Sequence, residues 1–154
     1  METINNVVDF FRDFATDHPQ INSFSVGQEL QLDIEKIEYF PKMFVIIGPV
    51  EYLNPGVIAN FQVYIIDKPI NQGLDVVSDT FQIGTDLIYH LKYSQALNIA
   101  SQIGFVPFDN LHDNVLRGWL LDVPISTNFI ATNCHLLPIE EETIFDETFD
   151  ITFE

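Results

Sequence analysis

Chemistry in this chain would have to come from carboxylates, imidazoles or a single thiol, and their spacing decides which. The densest polar cluster is Asp109-Asn110-Leu111-His112-Asp113-Asn114, where two aspartates flank a histidine. It invites comparison with a metal site, but the order does not follow the calcium loop D-x-[DN]-x-[DN]-G with its distal glutamate. Its turn-forming residues read as a loop closed by side-chain-to-backbone bonds. Asp75, Asp79 and Asp86 form a second acidic set. Their helical spacing places them on a solvated face, and no histidine or further carboxylate accompanies them in sequence. Cys134 and His135 could be drawn as a thiol–imidazole pair, yet adjacent residues of an extended segment point to opposite faces. Cys134 reads instead as a small buried hydrophobe.

The remaining histidines do not assemble a site either. His18, His90, His112 and His135 lie far apart, and His18 reads as a helix-end side chain without a partner constellation. The phosphate loop, the dinucleotide fingerprint, the nucleophile elbow, H-E-x-x-H and cysteine–histidine ligand spacings do not occur. Carboxylates for acid–base work abound, but none is singled out. The expectation is therefore no catalytic residue, no cofactor and no metal ligand.

Charge narrows the partners. Lys and Arg number 6 against 23 Asp and Glu, a formal net charge of −17. Arg12, Lys36, Lys42, Lys68, Lys92 and Arg117 are scattered, so no basic stripe tracks a nucleic-acid backbone or an anionic membrane. The acidity fits a solvated surface, a face complementary to a basic protein, or a lumen that repels DNA. One cysteine rules out an internal disulfide framework and a thiolate zinc cluster. The length of 154 residues suits one domain, and 47% hydrophobic content suits a packed core. No apolar run is long enough to cross a bilayer as a helix. Met1-Glu2-Thr3-Ile4-Asn5-Asn6 lacks the basic start of a signal peptide, which predicts intracellular synthesis.

The elements that would position any site follow from periodicity. Ile4, Val7, Val8, Phe11, Phe14 and Ala15 predict an amphipathic helix over Thr3–Thr16, capped by Thr3 and stopped near His18 by Pro19. Ile21 to Gly27 reads as a loop. Three β-type runs then follow, Gln28–Ile37, Lys42–Pro49 and Val57–Asp67, and predict an antiparallel meander. The unbroken Met43-Phe44-Val45-Ile46-Ile47 marks its central strand as buried on both faces. Leu74, Val77, Phe81, Gly84, Leu87, Ile88 and Leu91 predict a second helix, with Gly84 permitting close packing on the sheet. Ile103–Phe108 reads as an edge strand. Trp119, Leu121, Val123 and Ile125 mark a further strand whose Pro124 assigns it in part to an edge or bulge. The fold class is α+β: an antiparallel sheet of four to five strands packed by two helices, over residues 1–139.

Residues 140–154 read as an extended acidic C-terminal arm. Glu140, Glu141, Glu142, Asp146, Glu147, Asp150 and Glu154 interleave with Ile144, Phe145, Phe149, Ile151 and Phe153, with no base among them. A purely solvating tail would not need three phenylalanines. Two readings stand: a terminus whose aromatics touch its own domain, and an arm that orders on a neighbouring subunit, aromatics as anchors and acids toward basic groups.

Several stretches carry a resemblance. They are Phe14-Ala15-Thr16-Asp17-His18-Pro19-Gln20-Ile21-Asn22-Ser23-Phe24, Tyr39-Phe40-Pro41-Lys42-Met43-Phe44-Val45-Ile46, Phe61-Gln62-Val63-Tyr64-Ile65-Ile66-Asp67, Val77-Ser78-Asp79-Thr80 and Gly118-Trp119. With the order helix, meander, long helix and closing strands, the chain resembles tail-terminator and tail-completion proteins of tailed bacteriophages. It is similar in wording to neck or ring proteins of large phages, including the crAss-like group. The resemblance implies a non-enzymatic virion component of the neck, made in the host cytoplasm. Such a protein forms a homo-oligomeric ring of six or twelve subunits around the DNA channel and seats on neighbouring neck, portal-side or tail proteins. DNA would pass without specific binding, and an acidic wall suits that passage. The arm after Ile139 is not part of the resemblance. The competing readings are a soluble acidic module that occupies a basic protein's site, as an inhibitor or DNA mimic, and a small enzyme with a carboxylate site.

Overall fold

The structure is a computed structural model and describes residues 3–27, 40–53, 56–69, 74–111 and 116–127. Helix α1 spans Ile4–Asp17. Thr3 caps it as expected: its backbone is extended and its hydroxyl accepts from the Asn6 N–H at 3.2 Å. At the other end His18 leaves the helical region, its N–H donating to the Phe14 carbonyl at 2.9 Å, and Pro19 follows. Val7, Val8, Phe11, Phe14 and Ala15 are buried, which is the stripe that the spacing predicts.

The next element corrects the expectation of a loop. Ser23–Gly27 is a strand, β1, running parallel to β2 (Lys42–Leu53) with Ser23 opposite Lys42 and Gly27 opposite Ile46. Its alternation is too short to stand out, and a parallel partner must be brought back by a crossover that no local pattern announces. The predicted strand Gln28–Ile37 lies outside the described residues, so the meander is described only as its last hairpin. That hairpin joins β2 to β3 (Gly56–Asp67) in antiparallel register from Lys42–Ile66 to Leu53–Gly56. Burial on β2 is complete for Met43, Phe44 and Val45, but Ile47 is exposed, so the central-strand expectation holds only for the first half.

Beyond Ile47 the ladder shifts register. Pro49 has no N–H to donate, and a bulge is where a strand tolerates that loss. Asn60 closes it, its side-chain amide donating to the Pro49 carbonyl at 3.1 Å.

Helix α2 spans Leu74–Ser94 and lies on the same face of the sheet as α1. Its buried stripe is Val76, Thr80, Ile83, Gly84, Leu87 and Leu91: the second half is as predicted at Gly84, Leu87 and Leu91, and the first half is rotated from Val77 and Phe81 to Val76 and Thr80. Thr80 hides that stripe from a hydropathy reading. Its hydroxyl donates to the Val76 carbonyl at 2.6 Å, so a polar residue sits satisfied in the core. Phe81, read as core, is partly exposed and packs instead against Phe105 and Trp119. Gly84 does permit close packing: a β-carbon there would stand 2.8 Å from the Phe105 ring.

Three strands complete the sheet: β4 (Asn98–Ile99), β5 (Gly104–Leu111) and β6 (Leu116–Thr127). Asp109 and Asn110 therefore belong to a strand and not to the predicted loop, while His112, Asp113 and Asn114 lie outside the described residues. The order is β1-β2-β3-β6-β4, with β5 also pairing β6. The described sheet thus has six strands, antiparallel except for β1, and stays open.

β6 is central, not an edge, despite Pro124. Its inner side pairs with β3 along its whole length, from Val57–Thr127 to Asp67–Arg117. Its outer side is shared by two short strands, β4 up to Ile99–Ile125 and β5 from Gly104–Asp122. Pro124 stands opposite the gap between them, and its carbonyl accepts from the Ala100 N–H at 2.9 Å. A residue's N–H and C=O point to the same side of a strand, so the missing donor falls where no strand asks for it.

The main core lies between the sheet and the helices, with Phe11, Phe61, Ile83, Leu87 and Leu121 at its centre. Phe40, Ile66 and Leu116 form a smaller cluster beside Tyr64 and Phe108.

Candidate functional site

One concavity among the described residues sits where α1 ends against the middle of α2. Pro19 terminates α1 there, which turns the His18 ring toward α2. His18 Nε2 lies 3.2 Å from Asp86 Oδ2, and Gln82 donates to Asp86 Oδ1 at 3.0 Å from one turn earlier. His18 Nδ1 accepts from the Gln20 N–H at 3.3 Å, so the ring proton sits on Nε2 and points at the carboxylate. Both ring nitrogens are thus engaged within the protein. The cleft above them has a volume of about 530 Å³ and is lined by Phe14, His18, Gln82, Asp86, Tyr89 and His90.

His18 was expected to lack a partner; it has one, brought from a distant helix. Asp86 keeps to the solvated face assigned to it, its carboxylate 45% exposed, and reaches His18 from there; Asp75 and Asp79 are exposed as well. His90 stacks on Phe10 with ring centroids 5.1 Å apart and tilts against Phe14 at 5.6 Å. Aromatic contact, not metal ligation, accounts for its place. Among the described residues no three His, Cys, Asp or Glu side chains converge in a way that could hold a metal ion.

A second polar spot lies under the start of α2. Asp67 ends β3, opposite Arg117 in the ladder, and accepts from the Lys68 N–H at 2.7 Å. Burial pushes its carboxyl above the usual 3.8; the Lys68 N–H pulls it back, and Asp79 adds to the rise. Nearby the Trp119 indole donates to the Val77 carbonyl at 3.0 Å, tying α2 to β6.

The third feature is apolar and exposed. Past the end of β1, the far half of the β2–β3 hairpin carries Ile47, Val50 and Tyr52, the last 73% exposed. No described strand pairs with the outer side of β2 beyond Ile46. On α2, the Tyr89 and Tyr93 rings tilt against each other with centroids 4.3 Å apart, and both stand in the open.

Cys134, His135 and the arm residues Glu140, Glu141, Glu142, Ile144, Phe145, Asp146, Glu147, Phe149, Asp150, Ile151 and Phe153 lie outside the described residues. Sequence reasoning missed the His18–Asp86 pair and the exposed hairpin. The signal for the first was slight: a histidine just before a helix-ending proline, and one helical aspartate with a glutamine a turn before it. No described helix is long and apolar enough to cross a membrane. The chain matches no known family model, and no curated protein matches it.

Proposed function

We propose that the chain is a structural subunit of a tailed-phage virion, assembling as a homo-oligomeric ring of six or twelve copies in the head–tail connector. The role is that of a tail terminator or completion protein around the DNA channel, in contact with neighbouring neck, portal-side or tail proteins. The observation that carries this reading is the exposed far half of the β2–β3 hairpin. Val50 and Tyr52 present apolar surface there beside a strand edge that no described strand occupies. Exposed apolar tips of this kind are what neighbouring subunits cover. The order of helix, hairpin, long helix and closing strands supports it, as does the net charge of −17, which would keep DNA sliding past an acidic wall.

The test is the solution mass of the full chain beside a chain ending at Ile139, with negative-stain images of both. Closed rings from the full chain support the reading, and their loss on truncation assigns the arm to subunit contacts. Monomers in both, at high concentration and with added neck proteins, overturn it. The second reading, an acidic module that binds a basic protein one to one, draws on the charge and on the carboxylate-bearing cleft beside His18. A discrete one-to-one complex would favour it.

A further inference from the structure

The cleft at the end of α1 has the chemistry of a cation site, and we propose that it receives an arginine side chain from a basic segment of a protein partner. The proposal stands whether the chain works in a ring or alone. Its first support is the helix itself. α1 ends with no basic residue in its last turn, so the negative end of its macrodipole meets Asp13 and Asp17 without a cation of its own. Arg12 is turned away, paired with Asp9 and set over the Phe24 ring.

The second support is the carboxylate. Asp86 is held in place by one donor on each oxygen, His18 Nε2 and the Gln82 amide. With Nδ1 engaged by the Gln20 N–H, His18 meets the carboxylate through Nε2 and fixes its orientation. Each carboxylate oxygen has a further lone pair for an incoming donor. The carboxylate is nearly half exposed, at 45%, and opens on the cleft.

The third support is aromatic. Tyr89 is 63% exposed and borders the same cleft. Its neighbour Tyr93 already has a cation near its ring, the Lys92 ammonium at 5.8 Å from the centroid. A recess of about 210 Å³ shares Phe14, His18, Pro19 and His90 with this cleft, adds Asp17, and is the size of one side chain. A planar guanidinium fits this set better than an ammonium, since it stacks on a ring while its fork meets a carboxylate. The net charge of −17 steers a basic protein, in preference to any acidic polymer, to this surface.

The experiment compares two fluorescein-labelled pentapeptides of equal charge, Gly-Arg-Gly-Arg-Gly and Gly-Lys-Gly-Lys-Gly, binding to the full chain by anisotropy. The arginine peptide should bind about fivefold or more tightly than the lysine peptide. Tyr89→Ala should remove that preference, and Tyr89→Phe, which keeps the ring, should restore it. Tyr89 is exposed, so thermal melting of both variants should match the parent; Asp17→Asn, also exposed, is the second variant and should weaken both peptides. Equal affinity for the two peptides, or an arginine preference untouched by Tyr89→Ala, would reduce the effect to diffuse charge attraction and overturn the proposal. So would no binding of the arginine peptide.

Discussion

His18 donates from Nε2 to Asp86 across a gap of 3.2 Å, and so clamps the end of the first helix to the middle of the second. The clamp is built from residues 68 positions apart, with Gln82 and the Gln20 N–H holding its two members in line. A part-buried hydrogen bond of this kind contributes about 0.5–1.5 kcal/mol net. A double-mutant cycle with His18→Ala and Asp86→Ala, read by denaturant unfolding, should show coupling of about that size. Additive losses would mean that the two side chains do not cooperate.

Asp67 makes stability depend on pH in an unusual sense for an acid. Its folded-state pKa is raised above 3.8, mainly by burial, so the folded protein holds this proton more tightly than the unfolded chain. The contribution to stability therefore falls as pH rises from about 3.8 through the raised folded value. Asp67→Asn keeps an oxygen for the Lys68 N–H and removes the buried charge. The variant should melt above the parent at neutral pH, and the gain should disappear below the ordinary carboxyl range.

Gly118 cannot be replaced. A β-carbon at this position would stand 1.8 Å from the Ile65 carbonyl oxygen, a backbone atom of β3 within the β3–β6 ladder. Gly118→Ala should abolish cooperative unfolding or the yield of folded protein. Gly84→Ala meets only the far edge of the Phe105 ring, which can turn aside, so it should give a folded protein.

Phe61 is fully buried at the centre of the main core and touches the Phe11 ring at a centroid distance of 5.8 Å. Phe61→Ala should cost about 3–5 kcal/mol by denaturant unfolding. Val50→Ser and Tyr52→Ser remove exposed surface and should leave the melting temperature nearly unchanged. If the hairpin is a subunit contact, the same pair should shift the solution mass toward the monomer.

What could be read without coordinates was whatever the chain encodes locally. Thr3, the Val7–Phe11–Phe14 stripe and Pro19 define α1 within a few residues of one another, and the alternation of β3 is written into Ala59, Phe61, Val63 and Ile65. What escaped depends on partners far along the chain. β1 is a strand only because β2 returns beside it. Pro124 pointed to an edge because a lone strand cannot show that two short strands divide one side of it. The face of α2 is read correctly at Gly84, Leu87 and Leu91 but not in its first turns, because Thr80 is apolar in effect once its hydroxyl is bound within the helix. The candidate site was legible as residues and not as a place: His18 and Asp86 were each visible, and nothing in their spacing said that they meet.

The shared outer side of β6 has a consequence for how the molecule assembles its sheet in time. β2 and β3 are joined by a short turn, so their ladder can zip early at small entropic cost. β3 must then wait for β6, which arrives only after the α2 segment has been brought round, a closure of high contact order. Among the described strands β4 and β5 both pair with β6, so these two ladders form only with that docking. In pulse-labelling hydrogen exchange, the β2–β3 amides should gain protection first, and the amides of Ala100, β4 and β5 together with β6, as the last cooperative unit.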